Sequence, residues 1–279
     1  MKLLRTGFLL IMLSILLVLV GERFGGPNGM ALALVIAVVM NGVAYFFSDK
    51  IALMSSGARP VAREQVPRLY AVMERLVGKA NLPMPKLYVI PEAAPNAFAT
   101  GRNPKHASVA VTEGLLQLMD DEELEGVIAH ELSHVRNYDI LTSSIAATIA
   151  GAVTFIARMG FWFGGSRDND ERGGGVSGLL MLLLAPIAAL LIQLGISRQR
   201  EFAADATGAR MVGYSQGLVR ALEKLGAYNK RIPMDVPPAT SALFIVKPLT
   251  PQGMLGGLFS THPPLEERIA ALRSMIITR

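Results

Sequence analysis

The chain has 279 residues, 51% of them hydrophobic and only 18% charged, with a mean hydropathy of +0.40. That balance excludes a disordered chain and an ordinary water-soluble globule, and it points to a membrane protein. The absence of cysteine removes disulfides and thiolate ligands, and a net charge of +5 without a clustered basic tract reads as membrane orientation, not nucleic-acid binding.

Two uncharged runs come first, Thr6–Gly21 with 16 residues and Phe24–Ser48 with 25. A helix needs roughly 20 apolar residues to cross the hydrocarbon core, with about 17 tolerated. Arg5 and Arg23 can snorkel at the ends of the shorter run. A cleaved signal peptide is the alternative there, but "GERFGG" offers no small-x-small cleavage site, which favours an uncleaved anchor. Lys2 and Arg5 precede the first run, and Lys50, Arg59, Arg63 and Arg68 follow the second. Lys and Arg stay on the cytoplasmic side, so residues 1–48 are expected to form a hairpin with the N-terminus inside.

A polar block follows. "AREQVPRLYAVMERLVGKAN" carries Val66, Leu69, Val72 and Leu76 at helical spacing and predicts an amphipathic helix. Lys86–Ile90, Asn96–Thr100 and Ala107–Thr112 read as three short strands separated by Pro and Gly. Thr112 starts a helix, and Asp120 with Glu123 three residues on gives the reciprocal start signal of the next. That second helix contains "VIAHELSHVRNYDI". Two further uncharged runs, Ile140–Ala157 and Gly173–Ser197, flank the Gly-rich loop "GGSRDNDERGGG" and predict a second hairpin over 140–197. The first of them is rich in small residues, which suit close helix contact in a bilayer.

Two hairpins return the chain to the same side, so 49–139 and 198–279 are expected to form one discontinuous domain. Its second half reads as helices over "SRQREFAADATGARMVGY" and "SQGLVRALEKLGAYN", a Pro- and Gly-rich connection at 232–264, and a closing helix "PPLEERIAALRSMII". The apolar "SALFIV" makes residues 232–260 a candidate cover for a site beneath.

The chemistry sits in the fourth-residue spacing of His130 and His134, which stacks their imidazoles on one helix face. Glu131 lies one step round, beside an ion held there. H-E-x-x-H on a helix is a zinc signature with the glutamate as general base. Zinc lowers the pKa of a water it holds to about 7, and Glu131 would take that water's proton and pass it to the leaving amine. The bland alternative is a pair of hydrogen-bonded histidines. A third donor argues against it: "REFAAD" puts Glu201 and Asp205 on one face, Glu201 completing a His₂Glu site and Asp205 accepting the outer N–H of a ligating histidine. Read alone, Glu201 could instead pair with Arg198 or Arg200.

"VIAHELSHVRNYD", "SRQREFAADATGA", "PNAFATG" and "STHPPLEERIAAL" together resemble the membrane-bound zinc metallopeptidases of the HtpX family, relatives of the CAAX prenyl endopeptidases in the gluzincin group. The resemblance covers nearly the whole chain. It implies a mainly α fold with a small β-sheet, in which four transmembrane helices carry a gluzincin-type metalloprotease domain built on the HExxH helix. It implies His130, His134 and Glu201 as ligands of one Zn²⁺ and Glu131 as base. The expected setting is the cytoplasmic membrane of a prokaryote, with misfolded or damaged membrane proteins and unfolded polypeptides as substrates in a stress response.

Weaker readings remain open. His262 could stabilise the oxyanion formed on attack at a peptide carbonyl, or fix the Pro-Pro turn before the last helix. Ala97, Phe98 and Ala99 could pair with an extended substrate, pack Phe98 into the core, or do both. His106 is assigned no function. The third run begins a few residues after His134 and the fourth ends a few residues before Glu201, so at about 1.5 Å per helical residue the zinc should lie within roughly 15 Å of the bilayer. The rival readings are a CAAX-type processing protease, a non-catalytic adaptor with structural zinc, and a transporter. Four runs argue against the first, and the lack of cysteine with an intact Glu131 against the second. The absence of charge within the runs argues against the third.

Overall fold

A computed structural model describes residues 2–164, 197–229, 231, 240, 242–246 and 263–277. His262, most of the 232–260 connection and all of the expected Gly173–Ser197 run except Ser197 lie outside the described residues.

Helix α1 (Lys2–Ser55) is two arms joined at Gly26, whose φ of 56° suits glycine, with Pro27 next. The arms run back along each other. Asn41 Nδ2 donates to Leu10 O at 3.3 Å and to Ser14 Oγ at 2.9 Å. The chain therefore doubles back between its first two uncharged runs. Gly25–Ser55 is long and apolar enough to cross a membrane, the one such helix among the described residues. Leu32, Val35, Val38 and Phe46 are more than half exposed along it.

Strands β1 (Arg59–Pro60), β2 (Lys86–Ile90), β3 (Ala97–Gly101) and β4 (Ala107–Thr112) form a sheet in the order β1-β2-β4-β3. β2 pairs with β4 in parallel, while β1 with β2 and β3 with β4 are antiparallel. Three of these strands match the expected ones, β3 beginning and ending one residue later. The two-residue β1 is too short to carry an alternating pattern. β3 and β4 are buried along their whole length, so they read as apolar runs instead of alternating strands.

Helix α2 (Pro67–Ala80) opens on Pro67 and buries Leu69, Val72, Met73, Leu76 and Val77, the face its spacing predicts. A short α3 (Glu113–Leu118) follows β4, its cap Thr112 Oγ1 accepting from Leu115 N at 3.1 Å. In α4 (Asp121–Arg136) the reciprocal cap forms: Glu123 N donates to Asp120 Oδ1 and Asp120 N to Glu123 Oε2, both at 2.9 Å. Tyr138, at φ 60°, turns the chain into α5 (Asp139–Gly164), which packs against α1 and β3. Then come α6 (Arg198–Val212), α7 (Gln216–Asn229) and α8 (Leu265–Arg273).

One core joins both halves of the polar sequence, with Leu69, Leu76, Val109, Ile128, Leu132, Ala209, Leu222 and Leu272 all buried in it. α4 runs through its middle, between α2, α6, α7 and β3. Gly208 sets how close α6 comes, since a Cβ there would stand 3.0 Å from Ala129 C and His130 N. That contact presses the face of α6 bearing Glu201 and Asp205 onto the turn of α4 that begins the histidine pair.

Candidate metal centre

α4 projects His130 and His134 toward α6, which answers with Glu201. The two Nε2 atoms lie 3.3 Å apart. Glu201 Oε2 is 3.7 Å from His130 Nε2, and Glu201 Oε1 is 3.5 Å from His134 Nε2. Each histidine is backed by a carboxylate on its far side. His130 Nδ1 lies 2.8 Å from Asp205 Oδ1, and His134 Nδ1 lies 3.5 Å from Asp139 Oδ2. A carboxylate only accepts, so both Nδ1 atoms carry the protons and both Nε2 atoms present lone pairs.

Burial and charge then divide the two rings. Burial lowers the pKa of His130, against the pull of Asp205. His134 is also opposed by burial, but its hydrogen bond to Asp139 and the nearby Glu201 and Glu131 outweigh that and raise its pKa. Asp139 also faces Arg200, whose Nη1 is 3.5 Å from Asp139 Oδ1. Arg268 is fully buried and grips Asp205 at both oxygens, Nε to Oδ2 at 2.8 Å and Nη2 to Oδ1 at 2.7 Å. The same Nη2 lies 3.4 Å from His130 Nδ1. Both of those atoms are donors, so what they share is the Asp205 oxygen. Despite its burial Asp205 is held below the usual carboxylate range, chiefly by the Arg268 charge and hydrogen bonds.

Glu131 stands beside this cluster, only 2% exposed. Burial pushes its carboxyl up to about 7, with Glu201 adding to the rise and His134 and the Ala99 backbone N–H opposing it. Ala99, Glu131, His134, Glu201, Ala242 and Leu243 are among the residues lining the adjoining pocket.

The donor set fits a divalent ion. Two imidazole nitrogens on one tetrahedral zinc, each about 2.05 Å away, are themselves about 3.3 Å apart. The observed Nε2 separation has that value, and the Glu201 oxygens come within a few tenths of it. The charges agree: buried Glu131, Glu201 and Asp205 face buried Arg268, leaving two negative charges over when all three carboxylates are ionised. Nitrogen and oxygen donors without a thiolate suit Zn²⁺. Among the described residues His130, His134 and Glu201 are the group able to hold a metal.

Residues 63–276 match the model of peptidase family M48. The chain belongs to peptidase family M48. Its M48 relatives extend over almost its full length. It is 53% identical over 274 residues to a protease HtpX homolog of Desulforapulum autotrophicum, covering 96% of this chain and 88% of that one. To the protease HtpX homolog of Syntrophobacter fumaroxidans it is 52% identical over 278 residues, covering 97% and 98%. These matches make it a metalloprotease. The crystal structure of S. mikatae Ste24p shares the fold, with a TM-score of 0.53 at 20% identity, over 93% of this chain and 62% of that one.

Within this M48 chain the structure brings together His130, Glu131, His134, Glu201 and Asp205, all expected from the sequence. Arg200 turns to Asp139, and it is Arg268 Nη1 that approaches Glu201, at 3.7 Å. Ala97 and Ala99 turn their backbone groups away from β4 (Ala97 O accepts from Ile245 N at 2.9 Å, and the Ala99 N–H reaches Glu131). Phe98 is fully buried against Phe244, ring centroids 5.1 Å apart. Of the expected cover, residues 242–246 lie along the outer edge of β3, with Asn96 Nδ2 donating to Val246 O at 2.7 Å. Asp139 and Arg268 were missed. Asp139 stood in plain view in "HVRNYD", five residues after His134, where a second backing carboxylate could have been sought.

Proposed function

We propose that this metalloprotease is a zinc-dependent endopeptidase of a prokaryotic cytoplasmic membrane that hydrolyses misfolded or damaged membrane proteins. The observation that carries it is the convergence of two imidazole lone pairs and the Glu201 carboxylate, with Glu131 alongside. His130, His134 and Glu201 hold the metal. A zinc ion held there would supply Lewis-acid chemistry to a peptide carbonyl and to a water. Glu131 accepts the proton from that water and returns it to the departing amine. Asp205 and Asp139 keep the imidazoles in the required tautomer. Ala99, whose backbone N–H points at Glu131, is where an extended substrate meets the chain, laid along the edge of β3. Ala97 O is bonded to Ile245 N, so pairing further along that edge requires residues 242–246 to yield. His262 remains a candidate for oxyanion stabilisation.

The exposed apolar face of Gly25–Ser55 supports the membrane setting. The flanking Lys and Arg residues support a cytoplasmic protease domain, with two hairpins crossing the bilayer. Asp139, beside the metal ligands, is also the first residue of α5, so substrate would be taken close to the lipid.

The test compares wild type with E131Q, H130A and E201A in detergent, measuring bound zinc and casein cleavage. E131Q should keep its metal and lose cleavage by several orders of magnitude, while H130A and E201A should bind zinc poorly. Full cleavage by E131Q would remove the mechanism.

A further inference from the structure

Arg268 heads the described side chains that are both large and fully buried, and the chemistry above gives it no step. It belongs to α8, 63 residues beyond Asp205. An arginine taken wholly out of water needs partners for its planar set of N–H groups. Here Nε and Nη2 reach the two oxygens of Asp205, and Nη1 donates to Ile245 O at 2.9 Å. Asp205 Oδ1 receives His130 Nδ1 as well. A carboxylate gripped by a two-pronged fork cannot rotate about its bond to the chain. The plane of the Asp205 carboxylate therefore fixes the plane of the His130 ring, and with it the aim of Nε2. The bond to Ile245 ties the same guanidinium to the segment beside β3, whose Ile245 N holds Ala97 O.

We propose that Arg268 is a positioning residue of the metal centre: through Asp205 it fixes the orientation and tautomer of His130, and through Ile245 O it holds residues 242–246 against the substrate edge. This rests on the reading of His130, His134 and Glu201 as metal ligands. Lysine at 268 keeps a charge but has no planar fork, so it cannot replace the arginine.

The full chain in detergent is compared as wild type, R268K, R268M, D205N and D205N/R268K. Zinc affinity is read by competition with a chelator, ligand geometry by the visible absorption of the Co²⁺-loaded protein, and the fold by circular dichroism. R268K should lose zinc affinity by about 10- to 100-fold, the range for residues that orient a ligand, with a changed Co²⁺ spectrum and an unchanged helical signal. R268M should lose at least as much. The double variant should bind no more weakly than D205N, because both changes break one relay. Wild-type affinity and spectrum in R268K would overturn the proposal, as would additive losses in the double variant. Failure of both R268K and R268M to fold with zinc present would make the arginine structural and overturn it too. A wild type that binds no zinc would instead remove the metal-centre reading.

Discussion

Glu131 shows how one side chain couples burial to chemistry. Its carboxyl rises from 4.5 to about 7 because it is enclosed beside Glu201. The folded pKa exceeds the unfolded one, so between those values the native state holds a proton that the unfolded chain has released. In the chelated protein this contribution is fully present below about pH 4.5 and is lost as the pH rises through about 7. The loss amounts to about 3 kcal/mol at most, from about 1.4 kcal/mol per unit. E131Q should abolish that slope, measured by denaturant unfolding of the chelated forms between pH 5 and pH 8; parallel curves would refute the assignment. Asp139 gives a second expectation. D139N, tested by chelator competition, should weaken zinc binding on the order of tenfold, because the His134 proton loses its charged acceptor. An unchanged affinity would make Asp139 a partner of Arg200 alone. The candidate cluster was legible because its spacing is local: one helical turn between the histidines, and one between Glu201 and the backing Asp205. Arg268 was not, since the closing helix carries Glu266, Glu267, Arg268 and Arg273 close together, and only tertiary packing shows that Arg268 is the one enclosed.

At the scale of elements, the close approach of α6 to α4 makes the site. Gly208 lies on the Glu201–Asp205 face, and a methyl group there would stand 3.0 Å from the backbone of Ala129 and His130, so the two helices would have to shift apart slightly. G208A should destabilise the chain by roughly 1–3 kcal/mol through overpacking, and should weaken zinc binding by parting the two helices. G78A, where a Cβ meets nothing within 4 Å, should be neutral or stabilising by up to about 1 kcal/mol. Equal effects in a thermal unfolding series would show that packing at Gly208 is not special. The cap of α4, the amphipathic face of α2 and the strands β2 and β4 were readable because each depends on neighbours a few residues away. β1 was not, being two residues paired to β2. Nor was the course of 242–246: its apolar residues predict burial, but not that Ile245 N would bond Ala97 O of β3.

Over the whole molecule, the sequence separates into an apolar hairpin with an exposed lipid-compatible face and a polar part folded around one core. If the charge distribution orients the chain, protease added to inverted vesicles should cut the polar part and leave the α1 hairpin protected, while right-side-out cells should be spared. Cutting in the opposite preparation would reverse the topology. The candidate metal ligands His130, His134 and Glu201 lie where α4 turns into α5 and where α6 begins. X-ray absorption at the zinc edge tests that placement most directly. The expected spectrum is one zinc per chain, with two imidazole nitrogens at about 2.0–2.1 Å and a carboxylate oxygen at about 2.0–2.2 Å, the imidazole signal falling in H130A and the shell changing in E201A. A shell without imidazole, or one left unchanged by E201A, would contradict the account.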